Sequence, residues 1–156
     1  MSKAAKQRET IGLGRLDDAI GFRLRRVQNQ LSRDFQARSR ELDLRAGMFS
    51  ALEIILANPG ISQTDLAREV GMDKSVIVSL IDDLERRGWT VRERSATDRR
   101  RYCLSVTPDG QAALDTLVGN MLHVEKIGLA VLTPEERRTL IAALDKIYRA
   151  YVRPLA

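Results

Sequence analysis

The stretch from Val91 to Gly110, VRERSATDRRRYCLSVTPDG, constrains this chain more than any other. Two short runs of strand-forming residues flank a polar turn, which predicts a β-hairpin whose tip carries Arg92, Arg94, Arg99, Arg100 and Arg101. Ahead of it lies an amphipathic helix from Asp73 to Arg87, and ahead of that a turn and a shorter helix. Helix, turn, helix and arginine-tipped hairpin, in that order, predict a winged helix-turn-helix. In such a unit the second helix enters a DNA major groove and the hairpin reaches the backbone or the adjacent minor groove. Five arginines within ten residues, directly after a helix-turn-helix, favour DNA contact over a merely solvated hairpin.

Upstream, residues 1 to 12 are polar, lysine-bearing and without periodicity, so a frayed arm is expected. From Leu13 the apolar positions Leu16, Ile20, Leu24, Val27, Leu31 and Phe35 follow at steps of three or four, one continuous stripe on a long helix weakened in its middle by Gly21. A second helix, Leu44 to Ala57, is closed by Asn58-Pro59-Gly60. Ser62 to Asp65 matches a capping box opening a short helix that runs to about Val70. Gly71 makes the turn, and Asp73 is placed to cap the next helix, whose core-facing side is Ile77, Leu80, Ile81 and Leu84. Gly88 ends it. On the hairpin, Trp89 and Val91, then Tyr102, Leu104 and Val106, are expected to alternate inward. Thr107-Pro108 and Thr133-Pro134 each read as an N-cap followed by proline in the first helical position. The two helices they open carry apolar stripes, Leu114, Leu117, Val118, Met121 and Leu122 on one, Leu140, Leu144, Ile147 and Tyr151 on the other.

The expected fold class is therefore mainly α with a small β-hairpin wing (α+β). Residues 41 to 108 would form the DNA-binding lobe, and residues 1 to 40 with 109 to 156 a helical dimerisation region, because those flanking stripes exceed what one lobe can cover. With 156 residues and 44% hydrophobic content the chain can bury a core. Its formal net charge of +5 suits polyanionic partners without proving one. The single cysteine, Cys103, excludes an intramolecular disulfide and a cysteine-rich zinc site. No apolar run approaches the ~20 residues that span a bilayer, and the start MSKAAKQRET has no signal-peptide centre, so a cytoplasmic protein with no membrane partner is expected.

From Leu42 to Gly110 the sequence resembles the MarR family of bacterial transcription regulators. Its wing signature, an Asp-x-Arg followed by a Leu-Thr-x-x-Gly-like strand end, appears as Asp98-Arg99-Arg100 and Val106-Thr107-Pro108-Asp109-Gly110. The order of a long first helix, a winged core and two terminal helices extends the likeness over nearly the whole chain. The resemblance implies a homodimer with interleaved terminal helices and two lobes reading a pseudo-palindromic operator. It also implies that Arg100 enters the minor groove while Asp98 holds the loop or that guanidinium in place. The recognition helix departs from the family pattern: Val76, Val78 and Ser79 stand where a threonine, a threonine and an arginine are common. Arginine-to-guanine readout is thus missing from its first turns, leaving serine hydrogen bonds and valine contact with thymine methyls. The expected DNA contacts are Ser62, then Lys74, Ser75, Val76, Val78, Ser79 and Arg86 on the helices, and Arg94, Asp98, Arg99 and Arg100 on the wing.

The resemblance further suggests a small-molecule effector that releases a repressor from its operator. Arg23, Arg25, Arg26, Arg38 and Arg40 make the first helix and following loop basic, which suits an aromatic acid or its coenzyme A thioester. The expected effector residues are Phe22, Arg23, Arg26, Met48 and Leu52. Glu125 falls inside an apolar stripe and wants a partner such as Arg23, Arg25 or Arg26. The sole histidine, His123, cannot build a metal site, and no metal, cofactor or catalytic constellation is expected. Two alternatives remain: a redox-responsive regulator acting through Cys103, and an effector-independent architectural DNA binder.

Overall fold

The structure is a computed structural model that describes residues 11–94 and 102–152; the expectations for Asp98, Arg99 and Arg100 lie outside these residues. A 3₁₀ turn, Gly14–Leu16, precedes α1 (Ile20–Arg38), and a second such turn, Arg40–Leu42, leads through a loop to α2 (Met48–Ala57). There follow β1 (Ile61–Ser62), α3 (Gln63–Val70), α4 (Lys74–Arg86), β2 (Thr90–Arg94), β3 (Tyr102–Val106), α5 (Pro108–Gly128) and α6 (Pro134–Ile147), with a closing π-helical turn at Tyr148–Val152.

The lobe's core is where the helical periodicity puts it. Ile77, Leu80, Ile81 and Leu84 of α4 pack with Met48, Leu52 and Ile55 of α2, Leu66 of α3, Leu104 of β3, and Leu114 and Leu117 of α5. Burying side chains of this size stabilises by roughly 1.5–3 kcal/mol each before chain entropy is counted. Caps set the ends of several helices. Ser62 Oγ accepts from Asp65 N at 3.1 Å, and Thr107 Oγ1 accepts from Gly110 N at 3.0 Å. Thr133 and Glu136 form a complete capping box, and Pro108 and Pro134 open their helices as expected. Asp73 occupies the N-cap position of α4 with extended backbone, but its side chain makes no capping hydrogen bond.

Several local expectations are corrected. The first long helix begins at Ile20 rather than Leu13, so Gly21 lies in its first turn, not its middle. The second begins at Met48, because Asp43 (φ +43°) and Gly47 (φ +87°) take left-handed conformations that a continuous helix does not permit. A third strand, β1, joins the hairpin: the sheet order is β1-β3-β2, antiparallel, with Ile61 opposite Leu104 and Ser62 opposite Cys103. On β2 the inward position belongs to Thr90, which is buried, while Val91 is exposed. The register Thr90–Val106 and Arg92–Leu104 explains this, since directly opposed residues share a face. Tyr102 shares that face opposite Arg94, yet it is exposed. The N-terminal half of α1, with the segment before it, and α6 keep their apolar stripes in water within this chain. Leu16, Ile20, Leu24 and Val27 of the first segment and Leu140, Ile141, Leu144 and Ile147 of α6 are all exposed.

Candidate nucleic-acid interface and effector cavity

The exposed face of α4 begins at its N-terminus, where unpaired backbone N–H groups and the helix dipole favour an anion such as a phosphate. Lys74, Ser75, Val76 and Ser79 are exposed there, and Val78 is half-buried on the flank. Arg94 is exposed at the end of β2, just before the wing tip. Ser62 stands apart at the head of α3 with its hydroxyl engaged, since it donates to Asp65 Oδ2 at 2.6 Å.

Farther along α4 the charges are spent on the protein itself. Arg92, counted in the sequence among the hairpin-tip arginines, turns back against α4. Its Nε donates to Glu85 Oε2 at 3.0 Å, and its Nη2 pairs with both Asp82 and Glu85. The hydrogen bond to Glu85, supported by Asp82, holds this guanidinium above the ordinary arginine value despite partial burial. Asp82 and Glu85 share this one cation, so their two negative charges are offset only in part. Arg86 is exposed, but its Nη1 is held by the buried Asp83. Arg87 donates to the carbonyl oxygens of Leu42 at 2.6 Å and Asp43 at 2.8 Å, and its guanidinium lies 5.2 Å from the centroid of the Trp89 ring. Cys103 is half-buried in the central strand, opposite Glu93 and Ser62.

The effector residues expected from sequence do not converge. Met48 and Leu52 are sealed in the lobe core at 0% exposure, because α2 turns both inward. Phe22 lies under the Arg25 guanidinium, 5.5 Å from its ring centroid, while Arg23 donates to the Leu16 carbonyl at 3.3 Å. Arg26 is exposed on α1. A cavity of about 430 Å³ lies elsewhere, between α1, the loop before α2, the start of α2 and α5. Phe35 and Phe49, with centroids 5.4 Å apart, line it together with Leu31, Met121 and Val124. Arg45 and Glu125 are the two charged residues in its wall. Glu125 is half-buried and pairs with none of the three arginines the sequence offered it. It lines this cavity beside Met121 and Val124 instead.

The MarR family model matches residues 43–101. A putative transcriptional regulatory protein for the hcr operon of Thauera aromatica is 38% identical over 137 residues, which cover 87% of this chain and 82% of that protein. The chain belongs to the MarR family. Among solved structures, the transcriptional repressor CouR bound to a 23-mer DNA duplex is 32% identical and superposes with a TM-score of 0.81 over 90% of this chain and 99% of that one. CouR bound to p-coumaroyl-CoA is 29% identical, with a TM-score of 0.79 over 91% and 100% of the two chains.

Membership of a family of transcription regulators makes this chain a regulator and not an enzyme. Among the described residues no three His, Cys, Asp or Glu side chains gather as a metal site, and no helix is long and apolar enough to cross a membrane. Two residues of this MarR-type lobe escaped the sequence reading. Arg45 was lost inside an expected helix that starts three residues later. Arg87 was read as the end of the recognition helix, although its donors serve a segment more than forty residues away in the chain. A basic residue at a helix C-terminus is common for local reasons, and no sequence signal distinguishes one that reaches across the lobe.

Proposed function

We propose that this chain acts as a homodimeric repressor of a pseudo-palindromic operator, released when a small anionic aromatic compound or its acyl-CoA thioester occupies the cavity between α1, α2 and α5. The observation that carries the reading is the pairing of two features in one lobe: an α4 N-terminus free of internal ion pairs, and a cavity whose wall is the loop abutting that helix. CouR, solved both with a DNA duplex and with p-coumaroyl-CoA, supports the combination. The division into a lobe spanning residues 41–108 and a dimerisation region formed by 1–40 and 109–156 belongs to the same proposal. The exposed stripes on α1 and α6 support it, since a second copy is the simplest cover for apolar surface of that extent. Two lobes would then meet successive major grooves about 34 Å apart.

In this reading Lys74, Ser75, Val76, Val78 and Ser79 face base edges and adjacent phosphates. Ser62, Arg86, Arg94 and Arg99 contact the backbone, and Arg100, held by Asp98, enters the minor groove. The cavity takes the aromatic body of the effector against the paired rings of Phe35 and Phe49. Its volume lies within the usual range for small-ligand sites but leaves the bulk of a coenzyme A outside, where Arg23, Arg26, Arg38 and Arg40 are exposed to meet phosphates. Repression is lifted only if the effector binds the DNA-incompetent form more tightly than the competent one.

The test is a labelled duplex selected from a random pool by the protein itself, titrated with and without p-coumarate or p-coumaroyl-CoA. Sequence-selective binding that weakens as either compound is added supports the proposal. Equal affinity for all duplexes would point to the architectural alternative. Release by peroxide that depends on Cys103 would point to the redox one.

A further inference from the structure

The segment from Leu42 to Gly47 touches the recognition helix at its middle and its C-terminal end and, on its other side, forms one wall of the cavity. Three contacts fasten it to α4. From the C-terminal end of the helix, Arg87 donates to the carbonyl oxygens of Leu42 and Asp43. From the loop, Arg45 Nη1 donates to Ser79 Oγ at 3.2 Å, with the Ser79 carbonyl oxygen at 3.5 Å. Between them, Gly47 is pressed so closely on the lobe that a Cβ there would lie 2.3 Å from Met72 Cε and 3.2 Å from Leu80 Cδ1. Leu80 is itself a buried α4 residue. A displacement of the loop therefore cannot be absorbed without moving α4 or breaking one of these contacts.

Of the three, the Arg45 contact is the one that can be exchanged. Arg87 is largely covered and bound to two carbonyls as well as lying near Asp83 and Trp89. Arg45 is exposed, holds among the described residues only a neutral hydroxyl and a long carbonyl approach, and is the single cation among the described residues of the cavity wall. A guanidinium presents its donors as a planar fork that matches a carboxylate or phosphate with two parallel hydrogen bonds in which both partners are charged, whereas the Ser79 hydroxyl accepts a single bond and brings no charge of its own. An anion arriving in the cavity outcompetes Ser79 on those terms. Glu125 on the α5 side of the same cavity favours a ligand that brings a hydrogen-bond donor as well as an anionic group.

We propose that Arg45 is the residue through which occupancy of the cavity reaches the recognition helix: an anionic effector group turns its guanidinium from Ser79 into the cavity, and α4 loses the contact that holds its exposed face in register with the loop. This deepens the effector reading above and rests on it. By linkage, the factor by which the effector weakens DNA binding equals the factor by which DNA weakens effector binding.

The experiment measures that factor for the full-length protein. The affinity for a labelled duplex, selected from a random pool by the wild-type protein, is determined alone and with saturating p-coumarate, p-coumaroyl-CoA or p-coumaramide, the last lacking the carboxylate charge. Direct binding of each probe to the DNA-free protein is measured by calorimetry. In the wild type at least one of the anionic probes is expected to lower duplex affinity by about tenfold or more, within the usual range of allosteric coupling. Ser79→Ala lowers basal duplex affinity if Ser79 touches DNA, but the ratio cancels that loss. Its coupling is expected to fall to within about twofold of unity while probe binding to the free protein is unchanged or tighter. Arg45→Ala is expected to lose coupling too, to bind the anionic probe more weakly, and to leave p-coumaramide affinity unaltered. Both side chains are exposed, and unchanged thermal unfolding confirms that the variants are folded. Anionic probe bound and coupling retained in both variants would overturn the Arg45 proposal alone. No probe bound by the wild-type protein would overturn the cavity as the effector site, and this proposal with it.

Discussion

Arg92 on the first wing strand and Glu85 on the recognition helix are joined by a hydrogen bond of 3.0 Å from Nε to Oε2. The link fixes the angle at which the wing leaves the lobe. Arg92 has only 19% of its side-chain surface exposed and Glu85 30%, whereas Asp82 is 53% exposed and stays hydrated when Arg92 is removed. Arg92→Ala is expected to destabilise the lobe by about 1.5 kcal/mol, the low end of the range for hydrogen bonds to charged groups because its partners are partly hydrated, and to weaken duplex binding by loosening the wing. Arg92→Lys should recover only part of this, since an ammonium cannot fork between Asp82 and Glu85. Urea unfolding of the three proteins checks it.

Gly110 tests a different constraint. A Cβ there would lie 2.0 Å from the Trp89 carbonyl oxygen, which is backbone and already accepts from Thr107 N. The start of α5 would have to move away from the wing. Gly110→Ala should cost about 3 kcal/mol, the upper part of the usual overpacking range, and show as a lowered midpoint in thermal or urea unfolding. A wild-type midpoint would show that the approach relaxes freely.

Binding to DNA is expected to be strongly salt-dependent. A dimer making roughly six to ten phosphate contacts loses about 10³ to 10⁵ in affinity between about 50 and 200 mM salt. Arg100→Ala should weaken binding most on duplexes with A/T-rich flanks, where a narrow minor groove attracts arginine. Anisotropy titrations on A/T-rich and G/C-rich flanks separate this from a uniform phosphate contact. Val76→Thr, by contrast, should alter preference at thymine positions with little change in salt slope.

The dimer is tested at α6. Leu144 is exposed within the single chain, so Leu144→Glu should leave the lobe folded while it opposes burial against a second copy. Sedimentation is expected to show a monomer, and loss of half-site coupling should reduce duplex affinity by about 10² to 10⁴. A wild-type protein that sediments as a monomer and still binds its duplex at full affinity would refute the dimer.

Glu136 gives a pH dependence with a definite sign. Its carboxylate accepts from Thr133 N at 2.8 Å, and that hydrogen bond, aided by the Thr133 side chain, lowers its pKa from the ordinary 4.5. A lowered folded value means that the contribution is complete above pH 4.5 and is lost as the pH falls through the lowered value. Helix content by circular dichroism should therefore differ between wild type and Glu136→Ala at neutral pH and converge in acid.

The helices were legible because their information is local. Stripes at three and four residues, Ser62, Thr107 and Thr133 as caps, and Pro108 and Pro134 at first helical positions each act within one or two turns. The errors fall where a long-range contact overrides the local pattern. Val91 alternates correctly with Trp89, but strand parity is set by pairing Thr90 with Val106. Two-residue β1 is too short to carry a pattern, and it exists because β3 offers it an edge.

The sequence by itself determined the winged helix-turn-helix order, the inward face of α4 and its departure at Val76 and Val78, because periodicity and composition report which side of an element can be buried. Only the tertiary structure decided which charges remain available. Arg92, Arg86 and Arg87 read alike in the chain as basic residues beside a DNA-binding helix, yet Glu85, Asp83 and the Leu42 carbonyl claim them in turn. It also sealed Met48 and Leu52 in the lobe core and left a cavity beside Phe35, Phe49 and Arg45. Cavities and ion pairs arise where elements distant in sequence meet, and the strength of either depends on the distance and burial created by that meeting.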